Sequence, residues 1–153
     1  MNKFYKFFFI YFFIVSCGYQ PIFSEKKVNF KIKNLIYDKN NKVDLEINKN
    51  LKKYKNLGNK SKILDLEISS KINKITTSLD DRGDPKSYRL EIEVKTIVKK
   101  NNKLLDEKEF NKSQNYNNNT NKFDLKKYEN LIKKNMVDKI TEEIITYILS
   151  LEI

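Results

Sequence analysis

The sequence predicts an α+β fold, a two-layer sandwich in which about four mostly antiparallel strands are packed by two helices in the order β-α-β-β-β-α. Two observations predict it. Apolar residues alternate with polar ones at period two in four separate stretches, and they recur at steps of three and four in two others. One of the helical stretches separates the first two strands and the other closes the chain. A third observation bounds the answer: 153 residues make no more than one ordinary domain.

The elements follow in order. Residues 28–36, VNFKIKNLI, alternate Val28, Phe30 and Ile32 with Asn29, Lys31 and Lys33, the pattern of a half-buried strand. Residues 37–42 are polar and turn-like. In residues 43–57, Val43, Ile47, Leu51 and Tyr54 fall on one helix face, and Gly58 stands where a helix-ending glycine belongs. Lys62–Leu79 reads as one long strand. Leu64, Leu66, Ile68 and Ile72 share one parity and Ile75, Thr77 and Leu79 the other, which predicts a bulge or bend near Asn73.

The run DDRGDP at residues 80–85 is a dense turn signal. Residues 87–98 alternate most cleanly, with Tyr88, Leu90, Ile92, Val94 and Val98 on one side and Arg89, Glu91, Glu93 and Lys95 on the other. A second turn centres on Asn101 and Asn102, residues that tolerate positive φ. Residues 104–116 form a weaker strand, with Leu104, Phe110 and Tyr116 in one parity, and residues 117–121 a polar loop. In residues 125–151, Leu125, Tyr128, Ile132, Met136, Ile140, Ile144, Ile148 and Leu151 define the strongest helix, with Asn121 and Asp124 spaced as a capping pair. Three consecutive antiparallel strands with both helices on one face make a two-layer domain. The first strand, set apart by a helix, joins a neighbour in parallel through a right-handed crossover.

Composition excludes several chemistries. The chain has no His and one Cys, so it offers no imidazole base, no Ser-His pair and no internal disulfide. Only three Gly and two Pro exclude a Gly-rich phosphate loop or a Pro-rich linker. No Ser has a nucleophile-elbow context and no carboxylate stands in an apolar setting, so no enzymatic role is expected. Asp80, Asp81 and Asp84 cluster in one turn; a cation site and ordinary turn preference are the two readings, and no metal is expected. The formal charge is +11, yet only Arg82 and Arg89 are arginines. Nucleic-acid readers lean on Arg, whose fork matches guanine and phosphate. The spread lysines read as a solvated skin with a field that favours anionic partners, lipid A-type phosphates included, and no nucleic acid is expected.

The first residues, MNKFYKFFFIYFFIVS, place Lys3 and Lys6 ahead of an apolar run at 7–15 that is too short to span about 30 Å of hydrocarbon. Cys17 follows Ile14, Val15 and Ser16, a sequence that resembles a bacterial lipobox. On that reading residues 1–16 are a cleaved signal peptide, 17–27 a lipidated tether and 28–153 the domain. Cys17 then carries S-diacylglycerol and N-acyl chains that anchor the protein to a membrane, with no other cofactor. An ordinary signal peptide with an incidental Cys, or a short uncleaved anchor, are the other readings of these residues. Lipidation consumes the one thiol, which otherwise stays free in an oxidising compartment. Gly18 after the Cys, by resemblance to Gram-negative lipoproteins, implies onward export to the outer membrane.

Cys17-Gly18-Tyr19-Gln20-Pro21-Ile22-Phe23 resembles the first mature residues of the LPS-assembly lipoprotein family LptE, alpha-proteobacterial type. Further pieces agree in order: Arg82-Gly83 before the Tyr-led Tyr88-Arg89-Leu90, the run Asn115-Tyr116-Asn117, and a last helix carrying Met136, Asp138, Glu142 and Ile148. The resemblance covers most of the mature chain. It implies a four-stranded sheet packed by two helices, held by its lipid on the periplasmic side of the outer membrane. It also implies a non-catalytic plug and assembly aid for an LptD-like β-barrel, binding lipopolysaccharide on its way to the cell surface. Cys17 carries over as the lipidation site. Arg82, held among three Asp in the turn between the second and third strands, and Lys126 and Lys127, in the first turn of the last helix, fall near basic positions of the family that are implicated in lipopolysaccharide contact. The alternative is an outer-membrane lipoprotein serving another envelope complex.

Overall fold

The computed structural model describes residues 28–55 and 62–151. The order is β1 (Phe30–Ile36), α1 (Lys42–Leu51) extended by a 3₁₀ turn (Lys52–Lys55), β2 (Lys62–Leu79), β3 (Pro85–Lys100), β4 (Lys103–Asn117) and α2 (Lys122–Ser150), the β-α-β-β-β-α order expected. Gly58, the signal segment 1–16 and the tether 17–27 with Cys17 lie outside the described residues.

The four strands form one sheet in the order β1-β2-β3-β4. β1 runs parallel to β2, from Phe30 opposite Lys62 to Ile36 opposite Glu67. β2, β3 and β4 are successive antiparallel neighbours. The β3–β4 connection is a two-residue hairpin in which Asn101 (φ 51°) and Asn102 (φ 61°) both take positive φ. That backbone matches the right-handed twist of the flanking strands.

Period two sends alternate residues to one face, and the core lies there. Leu64, Leu66 and Ile68 of β2, Leu90, Ile92, Val94 and Val98 of β3, and Phe110 and Tyr116 of β4 are buried. They share one cluster with Val43, Ile47 and Leu51 of α1, Tyr54 of the 3₁₀ turn, and Ile132, Met136, Ile140, Ile144 and Ile148 of α2. The opposite face carries the charges of the alternation. There Lys95 meets Glu107 at 3.1 Å, Arg89 Nε donates to Asn115 Oδ1 at 2.9 Å, and Lys99 pairs with Glu67.

Each helix begins on an asparagine. Asn41 Oδ1 accepts from Val43 N at 2.9 Å, and Asn121 Oδ1 accepts from Phe123 N at 3.0 Å and Asp124 N at 3.3 Å. Asp44 is buried in the first turn of α1, taking bonds from Ser70 Oγ and Asp38 N. Asn41 Nδ2 donates to Ser70 O at 2.9 Å, so α1 is pinned to β2 just past the end of β1.

Three expectations are corrected. No bulge occurs at Asn73: β2 stays in register with β3 through Thr76, and the shift falls at Thr77. Ile75 therefore keeps its parity and points to the open face, 44% exposed. Leu104 does not join Phe110 and Tyr116 in the core, because a register shift between Val98 and Lys99 re-aims the start of β4. Tyr128 lies on the helical stripe but is half exposed: Leu125 on the same stripe is buried, and Tyr128 meets the sheet edge-on at Tyr116.

Candidate functional site

The residues expected to contact lipopolysaccharide gather at one end of the molecule, where β2 turns into β3 and α2 begins. In the 80–84 turn, Asp80 Oδ1 accepts from Arg82 N and Asp84 N, each at 2.9 Å, and Gly83 takes φ +85°. Those two backbone donors hold the Asp80 carboxyl below its ordinary value. The Arg82 guanidinium, 84% exposed, stands 3.6 Å from Asp80 Oδ2. Asp80 is thus consumed by the turn, and no group of three or more potential metal ligands exists among the described residues.

Asn118 joins this turn to α2. Its backbone N–H donates to Lys86 O at 2.9 Å and its Nδ2 to Pro85 O at 2.6 Å, three residues before the cap Asn121. Lys126 and Lys127 are exposed on the second turn of α2. Arg82 and the two lysines share this end of the fold, but no hydrogen bond or ion pair connects them among the described residues. Phe123 (77% exposed), Tyr128, Leu131 and Leu79 are exposed at the same end. Basic and apolar side chains so placed suit a ligand that carries both anionic groups and hydrocarbon.

Behind this surface lies a cluster that the sequence reading missed. Lys74 shares the core-facing parity of Leu64, Leu66 and Ile72, and its ammonium pairs with Glu129 of α2 while sitting 4.0 Å from the Tyr88 ring centroid. Tyr116 donates its hydroxyl to Glu129 Oε1 at 2.8 Å. Its ring lies 5.6 Å from Tyr88 and 6.2 Å, edge-on, from Tyr128. Burial alone raises the Glu129 carboxyl pKa, but the bonds from Lys74 and Tyr116 outweigh it and hold the group below its usual range. Burial, with Glu129 beside it, pushes the Tyr116 phenol well up. At neutral pH the cluster holds an ammonium, a carboxylate and a neutral phenol, each with a partner. It ties β2, β4 and α2 together and leaves no group poised for acid–base work. The signal was present: Lys74 breaks an apolar row, and Glu129 follows Leu125 by four on the buried stripe of α2.

A second basic group lies where α1 meets α2. Lys133 is partly buried, and its pKa is lowered by that burial and by the neighbouring Lys126 and Lys42. A shallow notch there is lined by Lys42, Glu46, Asn130, Lys133 and Lys134. No helix among the described residues is long and apolar enough to cross a membrane.

Fold and surface define a small two-layer α+β domain with a charged open face. Known structures share it. The chain superposes on rare lipoprotein B from Shewanella oneidensis with a TM-score of 0.55 at 17% identity, covering 76% of this chain and 94% of that one. A minor lipoprotein from Acinetobacter baumannii gives 0.60 at 13%, over 80% and 92%. Lipoprotein B from Nitrosomonas europaea gives 0.52 at 11%, over 77% and 81%. At these identities the likeness is one of fold. No family model matches the chain, and no curated protein matches it by sequence.

Proposed function

We propose that the protein is a non-catalytic outer-membrane lipoprotein of the lipopolysaccharide translocon. Anchored on the periplasmic side by lipid on Cys17, it plugs and helps assemble an LptD-like β-barrel and binds lipopolysaccharide during its passage. The observation that carries this reading is the fold, shared along most of the chain with three bacterial lipoproteins, on a sequence whose one Cys stands in a lipobox-like context. The open face of the sheet supports it. A barrel lumen is polar, and Lys95–Glu107, Arg89–Asn115 and Lys99–Glu67 supply a charged, hydrogen-bonding skin. Lys126 and Lys127 are exposed for phosphate contact, and neither cofactor nor nucleic acid enters the role.

One observation favours a second reading, a lipoprotein subunit of another envelope complex: the Arg82 guanidinium already faces Asp80, so it is a weaker phosphate ligand than a free one. Extraction in mild detergent decides between them. The translocon reading expects co-purification with one large β-barrel at fixed stoichiometry. Recovery as a free monomer, or with a partner that is not a barrel, overturns it.

A further inference from the structure

β1 covers only the first third of β2. Its pairing stops at Glu67, and the side chain of Asn41 caps the edge at Ser70. Beyond that point β2 continues to Leu79 with β3 on one side and no strand on the other among the described residues. Ser70 O faces the uncovered side, because Asn41 reaches it there, and Lys62 N faces the same side, bonding Asn29 O at 3.4 Å. In a strand the N–H and C=O of one residue point the same way and alternate along the chain. The backbone groups of Ile72, Lys74 and Thr76 therefore point outward, in regular geometry as far as the register shift at Thr77.

This edge is more lightly guarded than the other: its only charges are Lys71 and Lys74, and Lys74 is turned to the core face and paired with Glu129. Natural sheets blunt their edges with short strands, charge or proline. The outer edge of β4 follows that rule, with Asp106, Glu107, Lys108, Glu109 and Lys112 along it, and β1 is only seven residues long. Residues 71–79, KINKITTSL, have no carboxylate, Pro or Gly, and Ile72, Ile75 and Leu79 are exposed. Lysines surround it: Lys71 lies on the edge strand, Lys42 follows the Asn41 cap, and Lys133 lies within electrostatic reach of Lys42 and Lys126, with the carboxylates of Glu129 and the buried Asp44 behind them. None of these four lysines forms an ion pair among the described residues.

We infer that residues 72–76 of β2 are a docking edge that takes an extended acidic segment of a partner protein as a fifth strand. Backbone pairing at Ile72, Lys74 and Thr76 supplies the grip, and the unpaired lysines select acidic side chains on the incoming strand. The barrel reading concerns where the protein sits and this edge concerns what backbone it holds, so either stands if the other fails.

The test uses the full lipidated chain in detergent micelles and a synthetic seven-residue peptide, Thr-Glu-Val-Asp-Val-Glu-Thr, blocked at both ends. On saturation, the amide protons of Ile72, Lys74 and Thr76 should exchange at least about tenfold more slowly, while those of Lys71, Asn73 and Ile75, already turned to β3, stay unchanged. Methylating the peptide nitrogens that face β2 should weaken binding by about tenfold or more, and methylating the alternate ones should not. A peptide with Lys in place of each acid should not bind. The inference is overturned if the acidic peptide fails to bind, or if it perturbs lysine side chains and leaves the three amides alone. It is also overturned if those amides become protected with rising protein concentration and no peptide, since the occupant is then a second copy of the chain.

Discussion

The hydroxyl of Tyr116 donates to Oε1 of Glu129 at 2.8 Å, and the ammonium of Lys74 reaches the same oxygen. One carboxylate oxygen thus joins the end of β4, the middle of β2 and the start of α2. It stands under the end of the molecule where Arg82, Lys126 and the exposed Phe123 and Tyr128 gather. Its charge state sets how firmly the first turns of α2 are held there.

Glu129→Gln should therefore cost about 1–2 kcal/mol at neutral pH, through two weakened charge-assisted bonds. The pH dependence has a definite sign. The folded-state carboxyl lies below the ordinary 4.5, so its contribution is present above that value and is lost as pH falls through the folded value. Urea denaturation of the two proteins across pH 2–7 checks it: the gap should close in acid, where glutamic acid and glutamine carry the same charge. A gap that does not change with pH would remove the ionic role assigned to Glu129.

Asp44 should behave in the opposite sense. Burial raises its carboxyl pKa, although Ser70 and the Asp38 N–H both donate to it. A carboxyl whose folded pKa is raised gives its stabilisation fully below the unfolded value near 3.8, and loses it as pH rises through the folded value. Relative to wild type, Asp44→Asn should thus gain stability as pH climbs above 3.8. The same denaturation series reads this, and a relative loss on going from acid to neutral pH contradicts it.

Much of this fold is legible from periodicity, and the exceptions have physical causes. The bounds of β2 at Lys62 and Leu79 follow from alternation and a turn signal, because backbone pairing continues wherever residues alternate. Ile75 is misread because a switch of apolar parity implies a bulge only if both sets must be buried, and here one is left on the open face. Leu104 is misread because β4 carries an extra residue at Leu105, which has no partner in β3 and shifts Leu104 opposite Lys99, a change that period two alone does not reveal. The basic residues of the candidate site are visible as residue types. Their shared position depends on Asn118 bridging to Pro85 and Lys86, a contact over more than thirty positions that no local pattern encodes.

Thr96 supplies a test of the core itself. It sits in the middle of β3 opposite Ile68, fully buried, and its Oγ1 has no hydrogen-bond partner. A buried hydroxyl without a partner costs about 1–3 kcal/mol. Valine has nearly the same shape and no such group, so Thr96→Val should stabilise the domain by about 1 kcal/mol and raise Tm by about 4 °C. Calorimetry reads the change, and a fall in Tm would mean that the hydroxyl is satisfied after all.

The anchor is tested at Cys17, upstream of the described residues. If the thiol is acylated before the signal segment is removed, processing depends on the sulfur, because the modified Cys is what becomes the first mature residue. Cys17→Ala should then leave a precursor that keeps residues 1–16, takes up no labelled palmitate and is no longer held by a cleaved, lipidated N-terminus. Two acyl chains or more anchor stably, whereas a single chain binds a membrane only reversibly, so the loss should appear as a change in fractionation as well as in mass. Cys17→Ser separates the chemistry from the shape, since it keeps a small polar side chain and removes only the sulfur. Intact-mass measurement of the variants distinguishes the alternatives. Cleavage of Cys17→Ala and Cys17→Ser at the same bond as wild type means an ordinary signal peptide, and an uncleaved wild-type chain means a permanent anchor. Either result detaches the domain from a lipid tether while leaving its fold, and the exposed edge of β2, as they are.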